Sequence, residues 1–286
     1  MTNICYSIAG KTVEVEAGRC VEVLRALPGF DVFEIKPCKA DLKVSMDCAL
    51  ALPHIKPVHT FDFAEGGYRC AFYAETGVHW FVMENGSGGH YILRYEGGNE
   101  VQTTFIDDPA ALRFILWMAM AMYGGTRDTA PVHAACVCQG GRGYLFLGES
   151  GTGKSTHASL WLRHIEGSTL LNDDSPIVTV NTAVPMVYGS PWSGKTPCFH
   201  NQGLPIGGIV RLHQAQVNSI ERLGTLRALA AVEPSLPPAL RYDTVYADGR
   251  MSMASRLIGS VNVFSMNCLP NEDAARMCFD ACAAML

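Results

Sequence analysis

The chain has 286 residues, of which 48% are hydrophobic and 17% are charged. This composition excludes an intrinsically disordered chain, which combines low hydrophobicity with high charge, and the length suffices for one large domain or two smaller ones. The net charge of −5 and the lack of a basic tail argue against non-specific binding to nucleic acids or anionic membranes.

Signals for export or membrane insertion are weak in this sequence. Residues 1–6 lack the basic start and apolar core of a secretory signal. The longest apolar run, residues 114–123, is too short to cross a bilayer as a helix. We therefore expect a soluble, cytoplasmic protein.

The first hundred residues carry the alternation and the turn residues of β-structure. Residues 12–16 alternate between polar and apolar side chains, as a half-buried strand does. Two pairs of apolar segments flank glycine-rich turns, and each pair predicts a hairpin. The first pair is 61–63 with 68–73, and the second is 79–83 with 91–95. We expect a β-rich N-terminal domain of residues 1–107.

A helix is predicted to follow. Asp108 can cap its start, Pro109 suits its first position, and Gly124-Gly125 ends it. The body of this helix is apolar on nearly every side, which indicates burial between layers. We place the start of the second domain here, at residues 108–286.

The second half of the chain changes to an alternation of strands and helices. The order strand, glycine-rich loop, helix, strand is typical of nucleotide-binding α/β domains. Later segments predict one more strand and a capped helix. The predicted strands are 132–137, 144–147, 168–171 and 261–268, and the predicted helices follow the loop to about residue 164 and span 271–285.

Residues 148–155 fit the phosphate-binding pattern Gly-x-x-x-x-Gly-Lys-[Ser/Thr]. Glycines let the backbone wrap around phosphates, and the amide groups and the following helix terminus attract the anion. The alternative, a glycine-rich turn with a chance lysine, leaves the preceding strand and the following helix unexplained. The residues expected to contact the nucleotide are Gly148, Glu149, Ser150, Gly151, Thr152, Gly153, Lys154, Ser155 and Thr156.

Two adjacent carboxylates, Asp173 and Asp174, follow a short apolar strand. Ligands bind at the carboxyl ends of strands in α/β sheets, and a P-loop enzyme needs acidic residues there for Mg²⁺ and for the acceptor hydroxyl. The alternative is a solvated turn capped by Asn-Asp. We expect Asp173 and Asp174 to hold Mg²⁺ together with Ser155, and one of the two to act as a base.

A second loop, residues 188–200, is rich in glycine and proline and carries Trp192, Lys195 and Phe199. The aromatic rings can form a platform, and Lys195 can neutralise charge on a transferring phosphoryl group. The alternative is a surface loop with an exposed lysine. Arg211 and Arg222 are weaker candidates for the same role.

Three features together resemble the HPr kinase/phosphorylase family, whose core is related to that of ATP-dependent phosphoenolpyruvate carboxykinase. They are the sequence His133-Ala134-Ala135, the loop 148–156 and the Asp173-Asp174 pair, all within residues 132–178. The resemblance implies an α/β fold, a P-loop kinase domain with a mixed sheet.

The resemblance also implies roles for individual residues. It places His133 in the active site, near the acceptor phosphate or the metal, and the alternative is a core histidine hydrogen-bonded beside a strand. It makes Asp173 the base for a serine hydroxyl and assigns Asp174 to the metal site with Ser155. The Arg-Gly-Leu-Gly signature of HPr kinases is absent, which puts HPr as the acceptor and a phosphorylase activity in doubt.

These observations predict a kinase that uses ATP and Mg²⁺ and acts on a hydroxyl acceptor, either a serine of a protein or peptide or a small metabolite. Lys154 and Lys195 join Asp173 and His133 as its catalytic residues. A nucleotide-gated regulatory module without transfer activity is the alternative, and carboxykinase chemistry ranks last because the chain is short for it. We expect no nucleic-acid or membrane partner, and homo-oligomers are possible because HPr kinases assemble.

The eleven cysteines are scattered, without a disulfide-like framework. Cys136 and Cys138 share one face of a strand, and Cys278 and Cys282 are one helical turn apart, so either pair is a conceivable metal site. We expect reduced, buried thiols instead, as in a cytosolic protein.

Overall fold

The computed structural model describes residues 3–64, 66–194 and 196–284. It divides into two compact units by internal contacts. The first comprises the described residues of Met1–Thr126 and Ala239–Ala247, and the second those of Arg127–Pro238 and Asp248–Leu286. The division therefore falls after the apolar helix, whereas the sequence prediction placed the domain boundary before it.

The first unit contains a mixed β-sheet and two α-helices within its described residues. Its helices are α1 (Val21–Arg25) and α2 (Pro109–Gly125). Its strands are β1 (Asn3–Ile8), β2 (Lys11–Glu16), β3 (Glu34–Ile35), β4 (Leu42–Ser45), β5 (His59–Phe63), β6 (Tyr68–Glu75), β7 (Val78–Glu84), β8 (His90–Tyr95) and β9 (Glu100–Thr103).

These nine strands are ordered β3-β1-β2-β4-β9-β8-β7-β6-β5 across the described sheet. β2, β4 and β9 run parallel to one another, and the remaining neighbours pair antiparallel. Alternate residues of β6, namely Tyr68, Cys70 and Phe72, are buried, as period-two alternation requires. α2 contacts β7 and β8 and so packs on the sheet.

Helix α2 forms where the sequence predicted it. Asp108 Oδ1 accepts a hydrogen bond of 2.8 Å from the amide of Ala111, Pro109 takes the first turn, and the helix ends at Gly125. Within the described residues, none of the helices combines the length and apolar character needed to cross a lipid bilayer.

The second unit contains a larger set of helices around a second mixed sheet. Its helices are α3 (Lys154–His164), α4 (Thr225–Val232), α5 (Thr244–Ser260), which begins in the first unit's segment, and α6 (Glu272–Ala283). Its strands are β10 (Thr129–Pro131), β11 (Ala134–Gln139), β12 (Arg142–Leu147), β13 (Thr169–Asn172), β14 (Ile177–Thr179), β15 (Met186–Tyr188), β16 (Gly203–Gln214), β17 (Ser219–Arg222) and β18 (Val263–Cys268).

The sheet is organised around the long strand β16. The strand order is β10-β14-β15-β16-β12-β11-β13, with β18 also pairing with β16 and β17 with β18. β12, β16 and β18 run parallel, and the other neighbours run antiparallel. The first residues of β16 pair with β15, and the later residues pair with β12 and β18.

Both faces of this sheet are buried. Along β12, Tyr144 and Phe146 join the core beneath α3 and α6, whereas Leu145 and Leu147 join the core beneath α4 and α5. A strand that is buried on both sides reads as a continuous apolar run, which is why residues 144–147 lack a polar face. The second unit is therefore a three-layer arrangement of helices, sheet and helices.

The coarse fold prediction is confirmed, because the chain is a mixed α/β protein with two mixed sheets. Both predicted hairpins form, as β5–β6 and β7–β8. Two predicted strands begin two residues too early. The predicted strand 261–268 is β18, which starts at Val263. The predicted strand 132–137 is β11, which starts at Ala134, so that His133 precedes the strand instead of lying within it.

Candidate functional site

The sheet of the second unit brings three strand ends together at one edge. β12 and β13 both run antiparallel to β11, which lies between them, so their carboxyl ends share an edge with the amino end of β11. Ala134 pairs with Leu147, and Cys136 pairs with Asn172. The loop after β12, the turn after β13 and His133 are therefore neighbours.

Glycines shape the loop after β12. A Cβ atom at Gly148 would lie 2.3 Å from Thr152 Oγ1, and Gly151 and Gly153 have φ values of 82° and 97°. Thr152 closes the turn because its amide and its hydroxyl both donate to the carbonyl of Glu149, over 3.2 Å and 2.8 Å. Since α3 starts immediately after the last of these glycines, the loop leads directly into a helix N-terminus.

The end of β16 holds the same loop from the side. Arg211 Nη2 donates to Glu149 Oε1 over 2.8 Å, and its Nη1 donates to the carbonyl of Ala231 over 3.1 Å. Gln214 Nε2 donates to the carbonyl of Gly151 over 2.9 Å. Arg211 therefore fixes the loop, while Arg222, the other arginine considered as a charge-neutralising group, is exposed on β17.

Lys154 is buried at the start of α3, with 8% of its surface exposed. Its Nζ lies 2.9 Å from His133 Nε2 and donates to the carbonyls of Gly148 and Glu149 over 2.9 Å and 3.3 Å. Burial lowers the pKa of the Lys154 ammonium, and the negative charges of Asp174 and Glu149 oppose this shift. The cation is thus held over the carbonyl groups of its own loop.

The residues predicted to contact a nucleotide divide into an exposed and an enclosed set. The exposed side chains and backbone belong to Glu149, Ser150, Gly151, Ser155 and Thr156. The buried or half-buried residues are Gly148, Thr152, Gly153 and Lys154. The hydroxyl-bearing residue at the start of α3, Ser155, is therefore accessible to a ligand.

His133 lies between the lysine and the second aspartate. Its Nδ1 is 3.4 Å from Asp174 Oδ1, and its Nε2 faces Lys154 Nζ. The His133 amide donates to the carbonyl of Ser235 over 2.8 Å, and the Ala134 amide donates to that of Asp174 over 3.0 Å. The imidazole is 49% exposed, so this residue is not a core histidine.

Asp173 faces a different neighbour from Asp174. Only 6% of its surface is exposed. Its Oδ1 accepts hydrogen bonds of 2.7 Å from Ser193 Oγ and 2.7 Å from the Gly194 amide, and its Oδ2 accepts one of 2.9 Å from the Thr196 amide. Asp174 has 43% of its side chain exposed. The adjacent carboxylates are therefore not equivalent.

Asn172 organises this turn, a role that its sequence context did not predict. Its Oδ1 accepts from the amides of Asp174 and Ser175 over 3.0 Å and 2.7 Å. Its Nδ2 donates to Ser190 Oγ over 3.2 Å and to the carbonyl of Trp192 over 3.1 Å. Asn172 is fully buried, so its amide ties the aspartate turn to the second loop. Its signal in the sequence was its place before two aspartates at a strand end.

The second loop repeats the spacing of the first. Residues 189–196 also fit Gly-x-x-x-x-Gly-Lys-[Ser/Thr], a match that could have flagged this loop from the sequence. Lys195, predicted to be catalytic, lies outside the described residues. Trp192 is 4% exposed, so its ring faces protein and does not form the expected ligand platform, and Phe199 is half-buried.

All eleven cysteines are free thiols. Cys136 and Cys138 pack into one core beside the sheet, and Cys278 and Cys282 pack into the other, beneath α6. Burial raises the pKa of the Cys136 and Cys278 thiols well above the ordinary value. Among the described residues, no group of three or more His, Cys, Asp or Glu side chains is placed to hold a metal ion.

The edge of the sheet combines a buried cation, an imidazole and an exposed carboxylate beside a helix N-terminus. Backbone amides and a lysine bind phosphate, and carboxylate and hydroxyl oxygens suit a hard divalent cation. A scan against protein-family models and a search of curated proteins both found no match for this chain.

Proposed function

We propose that the second unit is a P-loop kinase domain of the HPr kinase/phosphoenolpyruvate carboxykinase type, which uses Mg²⁺ and ATP to phosphorylate a hydroxyl acceptor. The observation that carries the proposal is the chain of contacts Lys154–His133–Asp174, with 2.9 Å from Nζ to Nε2 and 3.4 Å from Nδ1 to Oδ1. It joins the phosphate-binding loop to the aspartate turn across one edge of the sheet.

The nucleotide is proposed to bind with its phosphates against the loop 148–155. The amides of this loop and the N-terminus of α3 provide the positive end of a helix dipole. Lys154 already lies beside two loop carbonyls, and a polyphosphate would offer its ammonium a stronger partner of opposite charge. Arg211 on β16 holds Glu149 of this loop through a hydrogen bond of 2.8 Å.

The donor groups at this edge fit Mg²⁺. The ion is usually held by one or two carboxylates together with water and substrate phosphates, not by a complete protein cage. Ser155 provides an exposed hydroxyl, and Asp174 provides a carboxylate with 43% of its side chain exposed. Bound there, Mg²⁺ would neutralise charge on the phosphates.

The reaction requires the acceptor hydroxyl to reach the terminal phosphate. The acceptor oxygen attacks the γ-phosphorus, the bond to the bridging oxygen breaks, and the nucleoside diphosphate leaves with the electron pair. The acceptor proton passes to an exposed group at this edge, either the Asp174 carboxylate or the His133 imidazole. Lys154 would stabilise charge on the phosphoryl oxygens.

A nucleotide-gated regulatory module is the second candidate, and one observation favours it. Asp173, which the family resemblance makes the base, is buried and accepts three hydrogen bonds from the second loop. A module that binds a nucleotide without transferring phosphate needs no free base. Phosphate transfer therefore separates the two candidates.

The test uses the full chain and ATP labelled at the γ-phosphate, with extracts of proteins and metabolites as acceptors. We expect a discrete labelled species with the parent and none with Lys154→Ala. Labelled GTP in a parallel reaction reports the donor preference. Nucleotide binding without transfer under any condition would favour the regulatory module, and calorimetry that detects no Mg·nucleotide binding would refute both candidates.

A further inference from the structure

The two aspartates at the end of β13 divide between two loops. Asp174 lies on the side of His133 and of the first loop, through the contact of 3.4 Å between its Oδ1 and His133 Nδ1. Asp173 is directed to the second loop, where Ser193, Gly194 and Thr196 donate to it. The pair therefore bridges the phosphate-binding loop and the loop 189–196.

Asp173 is poorly placed to act as a base in this arrangement. A carboxylate has about four acceptor positions on its two oxygens, and a base must offer one of them to the incoming proton. Three hydrogen bonds already engage both oxygens of Asp173 and leave about one acceptor position, on Oδ2. Since the residue is only 6% exposed, an acceptor hydroxyl has little access to that position while the second loop stays in place.

Ser193 links these bonds to the rest of the loop. Its Oγ lies 2.7 Å from Asp173 Oδ1 and 2.6 Å from the carbonyl of Thr196, and it accepts from the Cys198 amide over 3.1 Å. Its single hydroxyl proton serves one of the two acceptors at a time. Gly194 lies so close that a Cβ atom there would meet Asp174 Cβ at 3.1 Å. The loop therefore passes directly over the aspartate turn.

We infer that Asp173 is a positioning residue, which holds Ser193, Gly194 and Thr196 over the aspartate turn so that these described residues of the second loop form the acceptor side of the transfer site. The inference rests on the proposed kinase function. Gly194 and Thr196 are both exposed, so the loop offers an accessible edge while its amides are fixed from beneath by the carboxylate. Asn172 reinforces the arrangement through Ser190.

The experiment compares Asp173→Asn with Ser193→Ala, which removes a partner of the carboxylate and leaves the carboxylate itself intact. Ser193→Thr restores a hydroxyl. Thr182→Ala is the matched control, because Thr182 Oγ1 also closes a turn, onto the carbonyl of Val184 over 2.6 Å. Calorimetry measures the binding of Mg·ATP to each protein. A second assay measures the transfer of γ-labelled phosphate to one extract fraction, and the amount of this fraction is varied to separate KM from kcat.

If Asp173 positions the loop, Asp173→Asn and Ser193→Ala both raise the apparent KM for the extract fraction by about tenfold, since each loses a hydrogen bond of a charged group. Ser193→Thr recovers most of this loss, and Thr182→Ala behaves like the parent. If Asp173 is the base, Asp173→Asn lowers kcat by a much larger factor while Ser193→Ala transfers at the parental rate. That second pattern would overturn the inference.

Hydrogen exchange of the Gly194 and Thr196 amides tests the contact without any acceptor. Both amides should exchange slowly in the parent, and Asp173→Asn should accelerate at least one of them by about tenfold, because the two amides donate to different oxygens and asparagine keeps only one acceptor oxygen. Exchange that is equally fast in the parent would overturn the inference. A parent that exchanges slowly but binds no nucleotide would refute the kinase proposal instead.

Discussion

The loops 148–155 and 189–196 have the same pattern of glycines, lysine and hydroxyl residue, but the chain continues differently after each. After the first, α3 begins at Lys154 and runs to His164. After the second, Pro197 follows, and the described chain has no regular element until β16 begins at Gly203. The first loop therefore ends in a helix dipole and the second does not.

The amides of the second loop already have an anionic partner within the protein. Gly194 and Thr196 donate to the carboxylate of Asp173, whereas Lys154 in the first loop donates to the neutral carbonyls of Gly148 and Glu149 and lies beside an imidazole. A phosphate pattern in a sequence specifies amide groups that favour an anion. Whether that anion is a ligand or a side chain depends on the residues that fold against the loop.

The largest effect is expected from replacing the lysines of these two loops, and the two variants should differ. Lys154→Ala should lower phosphate transfer by about 100-fold or more, since it removes a cation from the transferring group. It should also weaken Mg·ATP binding. Lys195→Ala, the matched variant in the second loop, should lower turnover more than nucleotide affinity. Calorimetry with a non-hydrolysable ATP analogue and labelled-phosphate transfer measure the two properties.

The opposite effects of the two variants would exchange the roles of the two loops. If Lys195→Ala abolishes Mg·ATP binding and Lys154→Ala retains it, the second loop is the nucleotide-binding one. Equal transfer by Lys195→Ala and the parent would remove Lys195 from the site.

Gly189, at the start of the second loop, should be needed for the stability of the folded protein. A Cβ atom at Gly189 would lie 2.0 Å from the backbone carbonyl oxygen of His200, so Gly189→Ala should lower the free energy of unfolding by about 3 kcal/mol through overpacking. Gly151→Ala is the control, because no atom lies within 4 Å of the added Cβ and only the φ of 82° is unfavourable for alanine. This variant should lose about 1 kcal/mol of unfolding free energy. Urea unfolding without nucleotide measures both, and equal losses would contradict the packing argument.

The helix that distinguishes the first loop should make the protein sensitive to acid. His157 of α3 is buried with its ring 4.8 Å from that of Phe146, and its Nε2 has no hydrogen-bond partner among the described residues. Burial lowers the pKa of His157 from 6.5 to about 4. The unfolded state therefore binds more protons between these values, and stability falls as the pH falls through that window.

His157→Phe should remove this dependence. Compared at pH 7.5 and pH 5, the parent should lose about 2 kcal/mol of unfolding free energy more than the variant. Urea titrations at the two pH values provide the measurement, again without nucleotide. Parallel losses in the two proteins would mean that His157 is not the group responsible.

Much of the local structure was predictable because it depends on neighbours in the chain. Asp108 and Pro109 start α2, and both hairpins form about their glycine turns, since caps and turns are local signals. The boundary of β11 was wrong by two residues because the apolar character of Val132 continues beyond the pairing that defines the strand. Sequence patterns do not report strand pairing.

The individual residues of the candidate site were predictable from the sequence, but the contacts between them were not. Lys154, His133 and Asp174 were chosen individually, and the sheet order that makes them neighbours comes from β11 lying between β12 and β13. Asp173 and Asp174 look identical in the sequence. Their difference arises from contacts with residues about twenty positions away, such as Ser193, which no local pattern encodes.

The smallest expected effect concerns the aspartate that faces the first loop. Asp174 has 43% of its side chain exposed and lies on the His133 side, so Asp174→Asn should remove the charge that we propose to hold Mg²⁺ and leave the second loop intact. We expect the Mg²⁺ concentration for half-maximal transfer to rise by about tenfold, with transfer restored at high Mg²⁺. Asp173→Asn is the comparison. Its loss of transfer should come from the displaced second loop, so it should persist when Mg²⁺ is saturating. An unchanged Mg²⁺ requirement in Asp174→Asn, or a loss in Asp173→Asn that added Mg²⁺ corrects, would assign the metal to the other carboxylate.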